Sequence, residues 1–215
     1  MFPPLTDFFA LLGINLVLCA GCLRLLGAAG VGLSGEARPW AKWTGVVLFV
    51  LLWVPVGAAQ LPIVAYVRGI SSDLSITLVV LACLGLGRRL LGLSAIGQRE
   101  CNALFAVIAV AAMFLYPLAL GWGDWDAYRL GWGAPGMWAA LLILSLVCWL
   151  RGLRLLPVLV AMALLAWTAG LLESSNLWDY LLDPWLSVAA LVYCAKAAIL
   201  KLLKLSGRGR PGAVS

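Results

Sequence analysis

Two short stretches carry the residue types best suited to chemistry in this chain. The first is Gly121-Trp122-Gly123-Asp124-Trp125-Asp126-Ala127-Tyr128-Arg129. The second begins at Glu173 and runs through Trp178, Asp179 and Tyr180 to Asp183 and Trp185. Asp124 and Asp126 form an Asp-x-Asp, and carboxylates at that spacing can share a divalent cation as hard oxygen ligands. They are therefore the candidate metal ligands, although so short a pattern has low specificity and no cofactor is expected. Aromatic rings beside carboxylates also suit sugars, which stack on the ring faces while their hydroxyls bond to the acids. Each stretch holds a Trp-Asp pair closely followed by a tyrosine: Trp125, Asp126, Tyr128 in one, Trp178, Asp179, Tyr180 in the other. If the two stretches meet, Asp126 and Asp179 lie close, and their repulsion calls for a cation, Arg129 or a proton. The candidate binding surface is thus Asp124, Trp125, Asp126, Tyr128, Arg129, Glu173, Trp178, Asp179, Tyr180 and Asp183. The competing reading is a belt of aromatics in the lipid headgroup zone, with the acids merely kept off the opposite side.

Other chemistry is excluded or subdued. The chain has no histidine, so Ser–His and Cys–His nucleophilic arrangements are impossible. Cys19 and Cys22 have the spacing of a thiol–disulfide pair, but they lie in an apolar run, where cysteine behaves as a small apolar side chain. The remaining cysteines, Cys83, Cys101, Cys148 and Cys194, read the same way. Pro55, Gly57, Gln60 and Pro62 interrupt one apolar run and are expected to kink a continuous helix. Asn15, Gln60 and Thr168 are expected to form interhelical hydrogen bonds. Lys196 sits near a basic helix end, from which it can snorkel to headgroups.

The elements that must position these residues follow from composition. Of the 215 residues, 64% are hydrophobic and 11% are charged. A water-soluble fold of this size does not bury so large an apolar fraction. In lipid every backbone group must be paired within the chain, and the long continuous apolar runs select helices over a barrel. The fold class expected is all-α: a polytopic transmembrane bundle of about seven spans. A span needs roughly 20 residues, and apolar runs fall near Phe8–Leu26, Trp43–Tyr66, Leu74–Gly87, Cys101–Leu120, Met137–Leu150, Leu155–Leu172 and Leu182–Leu203, the third and fifth being short. Together they make a single transmembrane domain, residues 1–205, with a basic disordered tail at 206–215. Met1–Thr6 holds no basic residue, so the first run reads as a retained span.

Charge gives the orientation. This topology puts Arg24, Arg38, Lys42, Arg88, Arg89, Arg99, Arg151, Arg154, Lys196, Lys201, Lys204, Arg208 and Arg210 on one side, leaving only Arg68 and Arg129 of the 15 basic residues on the other. The acids divide the opposite way, with Asp7, Asp73, Asp124, Asp126, Glu173, Asp179 and Asp183 on the side poor in Lys and Arg. The basic side is cytoplasmic by the positive-inside rule, which places the N-terminus outside. Trp122, Trp125, Trp132, Trp138, Trp178 and Trp185 then gather at the outer boundary. The net charge of +6 is spread over short loops, so no nucleic-acid partner is expected. Arginine outnumbering lysine hints at a GC-rich genome, hence a bacterial inner membrane. The leading functional expectation is a non-catalytic subunit or scaffold of an envelope system, whose outer surface contacts membrane lipids, a lipid-linked glycan or a membrane-protein partner. A transferase acting on a lipid-linked donor at the outer face is the alternative. A small-solute transporter ranks third, because no acid is expected within the membrane.

Overall fold

The computed structural model describes residues 5–28 and 39–208, and the described chain is mostly helical. Helix α1 is Leu5–Ala28, α2 is Pro39–Leu51, α3 is Ile63–Ser71, α4 is Ile76–Leu91 and α5 is Gln98–Ala119. A 3₁₀ helix at Ala127–Trp132 precedes α6 (Pro135–Leu150), α7 (Leu155–Thr168), the short α8 (Leu177–Leu181) and α9 (Pro184–Arg208). Residues 1–4, 29–38 and 209–215 lie outside the described residues, and with them most of the tail expected at 206–215.

Among the described residues three helices are long and apolar enough to cross a membrane: Leu5–Ala28, Gln98–Ala119 and Pro184–Lys204. Exposed apolar faces on these and on the shorter helices explain the composition. Leu142, Ile143, Leu146 and Leu150 of α6, and Val110 and Met113 of α5, are exposed rather than packed. An apolar surface on that scale is tolerable only against lipid or a partner.

The boundaries follow local chemistry. Ser75 caps α4 by accepting from the Leu78 N–H at 3.2 Å, and Gly92 ends the helix in the left-handed conformation. Pro135 opens α6 and Pro184 opens α9, positions where a missing N–H costs nothing. Asn176 caps α8 by accepting from the Trp178 N–H at 2.9 Å.

The second apolar run is not a kinked helix. It stops at Leu51, makes an excursion, and resumes as α3. Between the two lies a two-stranded antiparallel hairpin, β1 (Pro55–Val56) with β2 (Leu61–Pro62). Gln60 takes a positive φ of 50° at its tip, and Tyr66 Oη donates to the Val56 carbonyl at 3.0 Å. The Val64 N–H donates to the Leu52 carbonyl at 3.2 Å, so α3 picks up where α2 leaves off. Two prolines seven positions apart remove donors from both ends of the segment, which favours extrusion over a bend.

α4 packs against both α1 and α7, α5 pairs with α9, and α6 lies on α7. One large core joins α5, α7 and α9, with Leu104, Ile108, Ala112, Leu159, Ala163 and Leu186 buried. Smaller clusters hold α1 to α2, α3 and α4 around Ile14, Leu23 and Val64. Asn15 is wholly buried and donates to the Phe49 carbonyl of α2 at 3.0 Å, the interhelical bond expected of it. Gln60 and Thr168 instead bond locally, to the Gly57 and Leu165 carbonyls.

The helix ends sort into two groups. At one end Arg89 donates to the Leu23 carbonyl, and Glu100 accepts from the N–H groups of Arg154 and Leu155 at 2.8 and 3.0 Å. At the other end the start of α1, the end of α3, the start of α4 and the loops before α6 and α9 are joined by hydrogen bonds. The candidate residues lie at this second end.

Candidate functional site

The two loops singled out from sequence meet. Tyr128 Oη donates to Asp179 Oδ2 at 2.7 Å, and Trp178 Nε1 donates to the Ala127 carbonyl at 3.1 Å. Asn176 Nδ2 donates to the Tyr128 carbonyl at 3.0 Å. The 3₁₀ helix passes so close to Asn176 that a Cβ on Gly131 would overlap the Asn176 side chain, so glycine is required there. Together these contacts weld the 3₁₀ helix to α8 as one cap over the bundle end.

Three of the carboxylates then have a definite task. Asp126 Oδ1 accepts from the Tyr128 N–H at 2.9 Å and so starts the 3₁₀ helix. Asp179 Oδ2 accepts from both Tyr128 and Ser174. Asp183 is 4% exposed. Its Oδ2 accepts from Ser75 Oγ at 2.6 Å and the Ser75 N–H at 3.2 Å, and its Oδ1 accepts from the Leu186 N–H at 2.8 Å. It therefore caps α9 and ties that helix to the start of α4. Tyr180 is buried, its hydroxyl bonded around the Leu172 and Ser174 backbone. Trp178 is buried as well, whereas Trp122, Trp125 and Trp132 remain exposed. Asp124 and Arg129 are exposed, and the structure brings neither into the hydrogen-bonded cap by its side chain.

Electrostatics support the locking role of Tyr128. Burial and the adjoining Asp179 carboxylate push its phenol up to about 12, so it remains a donor through the physiological range. Two hydroxyl donors, Tyr128 and Ser174, stabilise the Asp179 carboxylate, and Arg129 forms no ion pair with it among the described residues. Among the described residues no group of three or more Asp, Glu and Cys side chains could hold a metal ion.

The sequence reading missed the strongest electrostatic feature. Arg68, in the last turn of α3, meets three carboxylates. Its Nη1 lies 2.6 Å from Asp7 of α1, its Nε 2.9 Å from Asp73 and its Nη2 2.7 Å from Glu173. Only Glu173 of this set was a candidate. Arg68 and the acids had been assigned to the same side, which was the available signal, but their separations of 61 and 105 residues hid the contact. These are all the ion pairs among the described residues. No family model, no curated protein and no solved structure matches the chain.

Proposed function

We propose that this chain is a seven-span protein of a bacterial inner membrane, with its N-terminus outside and its C-terminus cytoplasmic. It serves an envelope system there as a non-catalytic subunit or scaffold. The interlocked cap is its outer working surface, meeting a membrane-protein partner, a lipid headgroup or a lipid-linked glycan. Counting α2 and α3 as one interrupted passage gives seven passages. Such a count agrees with the alternation of helix ends and with basic residues gathered at the end that holds Arg89 and Arg154. α4, α6 and α7 have 16, 16 and 14 residues, or roughly 21–24 Å at 1.5 Å per residue. A locally thinned bilayer accommodates them.

The observation that carries the non-catalytic reading is the engagement of the carboxylates. Asp126, Asp179, Asp183 and Glu173 each hold the structure together through hydrogen bonds. A transferase built on Asp124 and Asp126 would have to free Asp126 from its capping role. Exposed rings on and beside the cap, at Trp122, Trp125 and Trp132, offer aromatic area that suits recognition. Extraction in mild detergent should return the chain in a defined larger complex. Replacing Trp122 and Trp125 together by Ala should release it at unchanged membrane abundance. Turnover of a lipid-linked sugar by the purified chain alone, abolished by Asp124→Asn, would overturn this reading.

A further inference from the structure

Beside the cap lies an apolar groove that no role above uses. α1 and α7 both pack on α4, and between them is a cavity of about 300 Å³. Its floor is Val79 and Val80 of α4, and its walls include Phe9 and Gly13 of α1 and Met162 and Leu165 of α7. That volume is at the lower end of small-molecule pockets. From Phe9 to Leu16 the α1 wall runs about 10 Å along the helix axis. One end of the groove reaches the acidic end of the bundle. Leu74 and Leu172, which line it, are the sequence neighbours of Asp73 and Glu173. Those two acids hold Arg68, which itself lines a separate hollow with Asp7, so the carboxylate cluster adjoins that end of the groove.

The charge there selects an occupant. Among the described residues one guanidinium faces three carboxylates, an excess of two negative charges. Glu173 is the outermost, its side chain 64% exposed. An anionic headgroup would be repelled, and an ammonium would find a ready acceptor. Arg68 has used one N–H on each of its three nitrogens. Two of its five donors remain and can serve the phosphate of a zwitterionic lipid. Bilayer tails are as apolar as the groove, so burying a chain in it gives little selectivity. The headgroup must supply the preference, and the groove fixes where that headgroup lies.

We propose that the groove between α1, α4 and α7 holds one acyl chain of an amine-headgroup phospholipid, its ammonium against the carboxylates around Arg68. This rests on the membrane reading of the chain but not on the scaffold role of the cap. The test is native mass spectrometry of the full chain released from micelles. Phosphatidylethanolamine and phosphatidylglycerol of identical acyl chains are offered at equal concentration. At least a threefold excess of ethanolamine-lipid adducts is expected. Glu173→Gln should erase that excess, and Met162→Trp, which fills the groove from its exposed rim, should lower adducts of both lipids. Equal retention of the two lipids by the native chain would overturn the proposal. An excess that survives both substitutions would overturn it too, because the lipid would then bind elsewhere. Free ethanolamine that displaces the lipid completely would show a headgroup site without the groove, against the proposal. A thermal scan of each variant, within a few degrees of the native chain, confirms that a loss reflects the site. Failure of these arms leaves the complex-release experiment untouched.

Discussion

Replacing Asp183 should cost stability in proportion to the bonds lost, and the structure sets the order. The carboxylate accepts from Ser75 Oγ at 2.6 Å, the Ser75 N–H at 3.2 Å and the Leu186 N–H at 2.8 Å. Hydrogen bonds to a charged group contribute about 1.5–3 kcal/mol each, and a donor left buried without a partner carries its own penalty. The three bonds share one side chain and do not add fully, so Asp183→Ala should destabilise by about 3–5 kcal/mol. Asp183→Asn keeps an acceptor for the Leu186 N–H, and asparagine is a good N-cap, so about 1–2 kcal/mol is expected. Ser75→Ala removes one of those bonds together with the cap of α4 at Leu78, again about 1–2 kcal/mol. Because the two side chains touch, the double variant should fall short of the sum by about 1 kcal/mol or more. Reversible unfolding of the purified chain in mixed micelles, followed by tryptophan fluorescence, measures all four corners of this cycle. A loss below about 1 kcal/mol for Asp183→Ala, or additivity in the cycle, would refute the assignment of Asp183 as the pin between α4 and α9.

Three further outcomes are expected. Tyrosinate absorbance of the native chain minus that of Tyr128→Phe should show a midpoint near 12. The folded pKa is raised, so the stabilisation is intact below the ordinary phenol value and is lost as pH rises through about 12; a difference midpoint near 10 would show Tyr128 to be free of Asp179. Arg68→Met should leave Asp7, Asp73 and Glu173 facing one another and lower stability by about 1–2 kcal/mol, partly recovered in high salt; a thermal scan that matches the native chain at low salt would contradict the cluster. A variant with all six cysteines replaced by Ala or Ser should assemble into the same complex as the native chain, since Cys19 and Cys148 are buried and Cys19 merely donates to Asn15; selective loss on changing only Cys19 and Cys22 would restore a redox role.

Much of the local structure was legible from the chain, for identifiable reasons. Long apolar runs with charged ends mark α1, α5 and α9 to within a few residues, because lipid allows few alternatives. The repeated Trp-Asp-Tyr pattern pointed to two loops that do meet. Their bonding was not legible, since Asp126 and Asp179 were read as neighbours in need of a cation, Arg129 or a proton. In the structure a tyrosine hydroxyl stands on Asp179 and a backbone N–H on Asp126. Asp183 could have been read correctly: an acid directly before Pro184 at a helix start is the pattern of a cap. The hairpin at Pro55–Pro62 was mistaken for a kink because each proline was weighed separately. The Arg68 cluster draws on α1, α3 and the segments before α4 and after α7, and no local pattern reports a contact between elements so far apart in sequence.

The central claim is that the two acidic–aromatic loops form one locked cap on the outer face of a membrane. Two reporter thiols, placed singly in a background free of native cysteines, test both halves. Trp122→Cys stands at a position 76% exposed beside the cap, and Leu177→Cys at a position wholly buried beneath it. In intact cells a membrane-impermeant maleimide should label Trp122→Cys and leave Leu177→Cys unlabelled until Asp179→Ala removes the acceptor of Tyr128 and Ser174. Protection of Trp122→Cys, or labelling of Leu177→Cys with Asp179 in place, at normal membrane abundance, would contradict the claim.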